Sequence, residues 1–135
     1  MPTTYLAATV TAAKKIIERI TYPIIMKLPS GTQGKGVMVA DSYAAASSML
    51  DTLSALKQPF LIQEYIETEG SDIRLFVIVD KVVASMKRTS KGEEIRSNIH
   101  AGGKGEAYHP DSYMKKIAIH TAKLIGAEIC GVDIL

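Results

Sequence analysis

The chain has 135 residues, a length that suits one average domain or two small lobes. Hydrophobic residues make up 47% and charged residues 22%, the composition of a soluble globular protein rather than of a disordered or membrane chain. The net charge of +2 is spread as mixed signs without a basic block, which argues against nucleic acid as a partner. No apolar run is long enough to span a membrane, and "MPTTYLAATVTAAKK" lacks the leading positive charge and long apolar core of a signal peptide. The one cysteine, Cys130, excludes an internal disulfide and reads as a buried small hydrophobe, which suits a reducing, cytoplasmic compartment.

In chain order, "TYLAA" predicts a short strand. Thr11 then caps a helix with apolar positions Ala13, Ile16, Ile17 and Ile20. "YPIIMKL" is a second strand, with Pro23 at its start where no ladder hydrogen bond is needed. A glycine-rich loop follows, then the strand "GVMVA". Asp41 or Ser42 caps a second helix with the stripe Ala46, Met49, Leu50, Leu53 and Leu56. "KQP" at 57–59 marks the boundary between two lobes, residues 1–58 and 59–135. The second lobe opens with the strands "FLIQEYI", "DIRLFVIV" and "VVASMKR", the last two joined by a tight turn at Asp80-Lys81. "IRSNIHAGGKGEAYHP" is expected to be irregular. Asp111 or Ser112 starts a third helix that runs to about Ile125 and stops at Gly126. "EICGVDIL" closes the chain as a strand. Because a domain rarely ends inside such an apolar run, the expectation is a piece of a longer protein. The predicted class is α+β, with a largely antiparallel sheet.

The most informative stretch is "KLPSGTQGKGVMV", residues 27–39. Glycine-rich loops can bind phosphate because backbone N–H groups reach an anion when no side chain blocks them. A Walker A loop needs Lys-Ser or Lys-Thr and then a helix, and a dinucleotide fingerprint also opens a helix. Here Gly36 is followed by Val37 and a strand, so both fail. The kinase layout fails as well: its lysine lies after the loop, and no His-Arg-Asp or Asp-Phe-Gly motif follows. Lys27 instead precedes the loop at the end of a strand. It is either a strand-end lysine reaching water or a lysine at the rim of a nucleotide pocket.

Other polar residues sit in apolar runs. Asp133, in "CGVDIL", is either salt-bridged or a magnesium ligand. Asp72 and Arg74 share a strand face, as a cross-strand salt bridge or as contacts to a ribose hydroxyl and to substrate. Gln63, Glu64 and Tyr65 end a strand, an ordinary terminus or a hinge beside an adenine edge. Arg96, Asn98 and His100 alternate in "IRSNIHAGG" and, if extended, point one way toward a phosphate or carboxylate. His109 and His120 read as solvent-facing, and no nucleophilic triad is supported by spacing.

In this order "YPIIMKLPSGTQGKGV", "IQEYIE", "SDIRLFVIVDKVVASMKR", "EEIRSNIHAGG" and "CGVDIL" resemble the ATP-grasp ligases of the RimK-type glutamate ligase family, over nearly all of the chain. The resemblance implies an ATP-grasp core of two small α+β lobes, truncated at both ends, with ATP between them under the glycine loop. It implies that Lys27, Gly31, Gln33, Gly34 and Gly36 handle phosphate, that Glu64 and Tyr65 line the adenine side, and that Asp72 holds the ribose. Arg96, Ser97 and Asn98 would border the phosphate and acceptor site, with Arg96 and Asn98 in catalysis, and Asp133 would bind Mg2+ or Mn2+. The implied reaction makes an acyl phosphate from a carboxylate and ATP, which an amine, that of glutamate, converts to an amide on a protein or cofactor acceptor. Two departures stand out. The family's His-Arg-Gly-Gly is His100-Ala101-Gly102-Gly103 here, with Lys104 the nearest replacement cation. Further Glu and Asn metal ligands, and a second phosphate-binding lysine, are absent, so the expectation is a chain unable to complete the chemistry alone. The alternative is a nucleotide-binding or regulatory module that does not ligate.

Overall fold

A computed structural model describes residues 1–31, 34–90 and 103–135. The chain divides into two compact units, Met1–Ile66 and Glu67–Leu135.

In the first unit, β1 (Thr4–Leu6), β2 (Ile24–Lys27), β3 (Val37–Ala40) and β4 (Leu61–Glu64) form one sheet in the order β1-β4-β2-β3, with every pairing antiparallel. Helices α1 (Val10–Ile17) and α2 (Tyr43–Ala55) cover one face. Helix α1 starts earlier than its apolar stripe suggests. Thr9, not Thr11, is the N-cap, and its hydroxyl accepts from the Ala12 amide at 3.1 Å. Ser42 caps α2 by accepting from the Ala45 amide at 3.3 Å, while donating to Asp41 at 2.9 Å. The core is built from Ala13, Ile17, Ile24, Met26, Ala40, Ala46, Leu50, Leu53, Phe60 and Ile62. Met26 lies opposite both Met38 and Ile62, so Ile24, Met26 and Ile62 point into this core and Ile25, Lys27 and Gln63 point out of the other face.

The texture change at Pro59 lies inside the first unit. β4 hydrogen-bonds to β1 and β2, which draws residues 59–66 into the first sheet and sets the division between Ile66 and Glu67 rather than after Gln58.

In the second unit, β5 (Ser71–Ile78), β6 (Lys81–Thr89), β7 (Lys104–Ala107) and β8 (Ile129–Ile134) form a sheet in the order β7-β6-β5-β8, again antiparallel throughout. The β5–β6 turn is Val79-Asp80 instead of Asp80-Lys81. Val79 has φ 57°, and its amide donates to the Glu128 carbonyl at 2.6 Å. A bulge between Phe76 and Val77 then shifts the register. β7 falls in a stretch expected to be irregular; it is held as a strand by pairing with β6. Helix α3 (Ser112–Leu124) is capped by Asp111, whose carboxylate accepts from the Met114 amide at 2.8 Å, and it ends before Gly126 at φ 68°. Its Ala118 and Ala122 pack on Leu75 and Val77, flanked by Ile73, Cys130, Val132 and Ile134. Cys130 is half-buried against this layer. The opposite face of the sheet carries Asp72, Arg74, Arg88 and Asp133. Among the described residues no helix is long and apolar enough to cross a membrane.

Candidate nucleotide and metal site

The first unit presents Lys27 at the end of β2, on the face away from the helices. Its ammonium donates to Gln63 Oε1 at 2.6 Å, and Gln63 Nε2 donates to the Thr4 hydroxyl at 2.6 Å. Among the described residues Lys27 makes no ion pair; a neutral amide is its partner. A half-buried ammonium held this way keeps donors available for an anion.

The glycine loop leaves the sheet directly from Lys27. The Leu28 amide donates to the Gly36 carbonyl at 3.0 Å, and the Gly31 amide donates to the Leu28 carbonyl at 3.0 Å. This neck admits no side chain at two points. A Cβ at Gly31 would sit 2.2 Å from the Lys35 carbonyl oxygen, and Gly36, at φ 78°, would place one 3.0 Å from Leu28 Cβ. Gly34 is also at φ 78° and is half-buried. Gln33 lies outside the described residues.

At the other end of the same sheet, Glu64 accepts from the Thr3 amide at 2.7 Å, which ties β4 to the residue before β1. Tyr65 follows it and is half-buried. Glu64 lies opposite Ile24, on the sheet face that also carries Met26 and Ile62, whereas Lys27 and Gln63 lie on the reverse face.

In the second unit Asp72 and Asp133 are locked to arginines. Arg88 Nε and Nη2 donate to the two oxygens of Asp72 at 2.6 and 2.7 Å, and Nη2 also lies 3.0 Å from Asp133 Oδ2. Arg74 Nε and Nη2 donate to the two oxygens of Asp133, both at 2.6 Å. The four side chains therefore form one chain, Asp72–Arg88–Asp133–Arg74. Arg88 is 4% exposed, a charge tolerated at that depth only because two carboxylates meet it. Burial pulls the Arg88 guanidinium down, and Asp72 and Asp133 more than offset this, leaving it above its ordinary value. Burial pushes the Asp133 carboxyl up, yet Arg74 and Arg88 hold it below the usual carboxylate range.

The salt-bridged reading of Asp72, Arg74 and Asp133 is thus realised, with a partner, Arg88, that sequence reasoning missed. Hairpin arithmetic explains the miss. A turn at Asp80-Lys81 sets Asp72 opposite Thr89; the actual turn and the bulge set it opposite Arg88. Arg96, Ser97, Asn98, His100 and Ala101 lie outside the described residues.

Mg2+ takes one or two carboxylates and completes its shell with phosphate oxygens and water. Among the described residues no group of three or more His, Cys, Asp or Glu side chains could form a complete cage. Asp133 is a single carboxylate, and both of its oxygens are already held by Arg74 and Arg88.

Two four-stranded antiparallel sheets with three helices, among the described residues, define the α+β class. The chain belongs to the RimK-like ATP-grasp domain family, which it matches over residues 1–135. It is 41% identical over 137 residues to a probable alpha-L-glutamate ligase of Cellvibrio japonicus, covering 100% of this chain and 46% of that one. It is 46% identical over 114 residues to another from Hydrogenovibrio crunogenus, covering 84% and 38%. The chain thus spans less than half the length of these relatives. Among solved structures it superimposes on a RimK domain ATP-grasp protein from Sphaerobacter thermophilus with a TM-score of 0.73 and 22% identity, over 100% of this chain and 48% of that one. The ATP-grasp ligase PsnB, complexed with minimal precursor, Mg and ADP, gives 0.71 and 20% identity, over 98% and 40%. These two likenesses establish the fold.

Proposed function

We propose that this chain is the ATP-binding core of an ATP-dependent carboxylate–amine ligase that adds glutamate to a carboxylate on a protein or cofactor. The observation that carries the reading is Lys27: a half-buried ammonium on the helix-free face, paired only with the neutral Gln63 among the described residues, and leading into a glycine neck. Family membership supports the same assignment.

In this reading Lys27 and the loop of Gly31, Gln33, Gly34 and Gly36 meet the phosphates, and Glu64 and Tyr65 line the adenine side. Asp72 accepts from a ribose hydroxyl. Arg96, Ser97 and Asn98 border the transferred phosphate and the acceptor, and Asp133 holds Mg2+ or Mn2+. A cation held there would neutralise charge on the phosphates. The protein positions groups and supplies fixed positive charge without a covalent enzyme intermediate. A substrate carboxylate oxygen attacks the γ-phosphorus and ADP leaves; the amine then attacks the acyl carbon, phosphate leaves and a proton is lost.

An equilibrium titration with ATP and Mg2+ tests this. Lys27→Ala is expected to weaken ATP binding about tenfold or more, the scale of one lost charge-assisted contact of roughly 1.5–3 kcal/mol, and Lys27→Arg to retain part of it. Equal binding by wild type and Lys27→Ala contradicts the assignment. Binding without ADP release in the presence of glutamate and a carboxylate acceptor points to the regulatory module.

A further inference from the structure

The Lys27 ammonium ends a hydrogen-bond chain that crosses three strands. Gln63 lies opposite Ile25 on β2, two places from Lys27, and directly opposite Thr4 on β1. On a pleated sheet these side chains share a face. Lys27 Nζ donates to Gln63 Oε1 at 2.6 Å, Gln63 Nε2 donates to the Thr4 hydroxyl at 2.6 Å, and that hydroxyl donates to the Pro2 carbonyl at 3.1 Å. The chain has one direction. An ammonium can only donate, so the amide turns its oxygen to Lys27. At the other end the Thr4 proton is given to Pro2, so the hydroxyl offers a lone pair and takes the amide nitrogen. Both ends select the same orientation of Gln63; a flipped amide would set N–H groups against the ammonium.

The choice of an amide has a consequence for charge. A carboxylate at position 63 would also hold Lys27, but it would cancel the charge that an anion needs. A neutral amide fixes the side chain and leaves its charge uncompensated. A flexible lysine loses rotamer freedom when it meets a ligand, and one already held loses less. The same segment ties down the next residue of β4: the Thr3 amide donates to Glu64 Oε1 at 2.7 Å, and the Glu64 amide donates to the Thr3 carbonyl at 3.0 Å.

We propose that Gln63 is the positioning residue of Lys27, and that Thr4 fixes the sense of its amide, so that β1 aims the cation from two strands away. This rests on the reading of Lys27 as a phosphate contact.

The test has two parts, both on the 135-residue chain. Without ligand, the side-chain amide resonances of Gln63 are followed by nuclear magnetic resonance. They should move in Lys27→Ala and in Thr4→Val; resonances unmoved in both overturn the chain of contacts, whatever ATP does. With ATP and Mg2+, dissociation constants are compared. Gln63→Leu is expected to bind about three- to tenfold more weakly than wild type, the scale of fixing one long side chain anew. In a Lys27→Ala background the same change should do nothing, because the group it positions is gone. Gln63→Glu keeps the contact and cancels the charge, so it should bind at least as weakly as Gln63→Leu; wild-type affinity overturns the role of the neutral amide. Thr4→Val should weaken binding about two- to threefold, and Thr4→Ser should restore it. If Lys27→Ala weakens binding but Gln63→Leu does not, or if Gln63→Leu weakens it equally in both backgrounds, the positioning role is wrong and the phosphate reading survives. If wild type and Lys27→Ala bind alike, or neither binds, the phosphate reading fails and the positioning role with it. Where a variant fails to fold, the wild-type chain decides: saturation with ATP should move the Gln63 amide resonances, and resonances that stay still while ATP binds overturn the proposal.

Discussion

The two units solve the same problem of stabilising a four-stranded sheet by different means. The first buries large aliphatic side chains, with Ile17, Ile24, Met26, Leu50 and Ile62 fully enclosed between a sheet and two helices. Among the described residues the second has one helix, and its buried layer is Leu75 and Val77 against two alanines. Its other sheet face is ionic and includes a buried arginine. Apolar burial is non-directional, so the first unit tolerates repacking and fixes little about its exposed face. A buried ion pair is directional: it adds little net stability over a good apolar core, but breaking it is costly, and it fixes where carboxylates point. The polar face of the second unit is thus held by the same contacts that aim its candidate ligands.

The largest effect should come from breaking that ionic face. Arg88→Ala is expected to destabilise the second unit by about 3–5 kcal/mol, the cost of orphaning one partner of a buried pair. Residue-resolved hydrogen exchange should show protection lost in β5 and β6 and kept in β2 and β4. Loss in the first unit alone would reverse the comparison. Next comes the first unit's core, where Leu50→Ala, at a fully enclosed position, should cost about 2–5 kcal/mol and lower protection in β2 and β4. A smaller effect belongs to the glycine neck. Gly36→Ala forces a side chain into the left-handed region and against Leu28, at about 1–2 kcal/mol, and should also weaken ATP binding. The smallest stability effect is expected for Lys27→Ala, within about 1 kcal/mol because it removes an outward-facing, half-buried amine. Its effect on ATP binding should nonetheless be the greatest of the four. That dissociation separates a functional cation from a structural one.

Much of this was legible in the chain. The strands around the glycine loop follow from their apolar runs, and the second and third helices from the cap candidates Asp41 or Ser42 and Asp111 or Ser112 and the stop at Gly126; the structure selects Ser42 and Asp111. β7 was not legible, because "KGEA" has charge and a glycine but no β-branched or aromatic residue; it is a strand by virtue of its partner, β6. The start of α1 was misplaced because Thr9 and Thr11 are equally good caps by type and only the backbone decides. The Asp72–Arg88 pair was hidden by a turn displaced by one residue and by a bulge, which no local pattern announces. Lys27 stood out because its strand and loop could be located from their flanks. Gln63, its amide partner, was seen only as part of a strand end, since cross-strand neighbours 36 residues apart are set by register.

The most direct test of the account is the thermal midpoint of wild type and Lys27→Ala with and without ATP and Mg2+. At about 100 times its dissociation constant, a ligand of the folded state stabilises by about 2.7 kcal/mol. That corresponds to a rise of roughly 10–20 °C, at roughly 4–8 °C per kcal/mol for a small domain. The account predicts this rise in wild type and its reduction by about half or more in Lys27→Ala at the same ATP concentration, with the two ligand-free midpoints nearly equal. An equal rise in both proteins, or none in wild type, would contradict it.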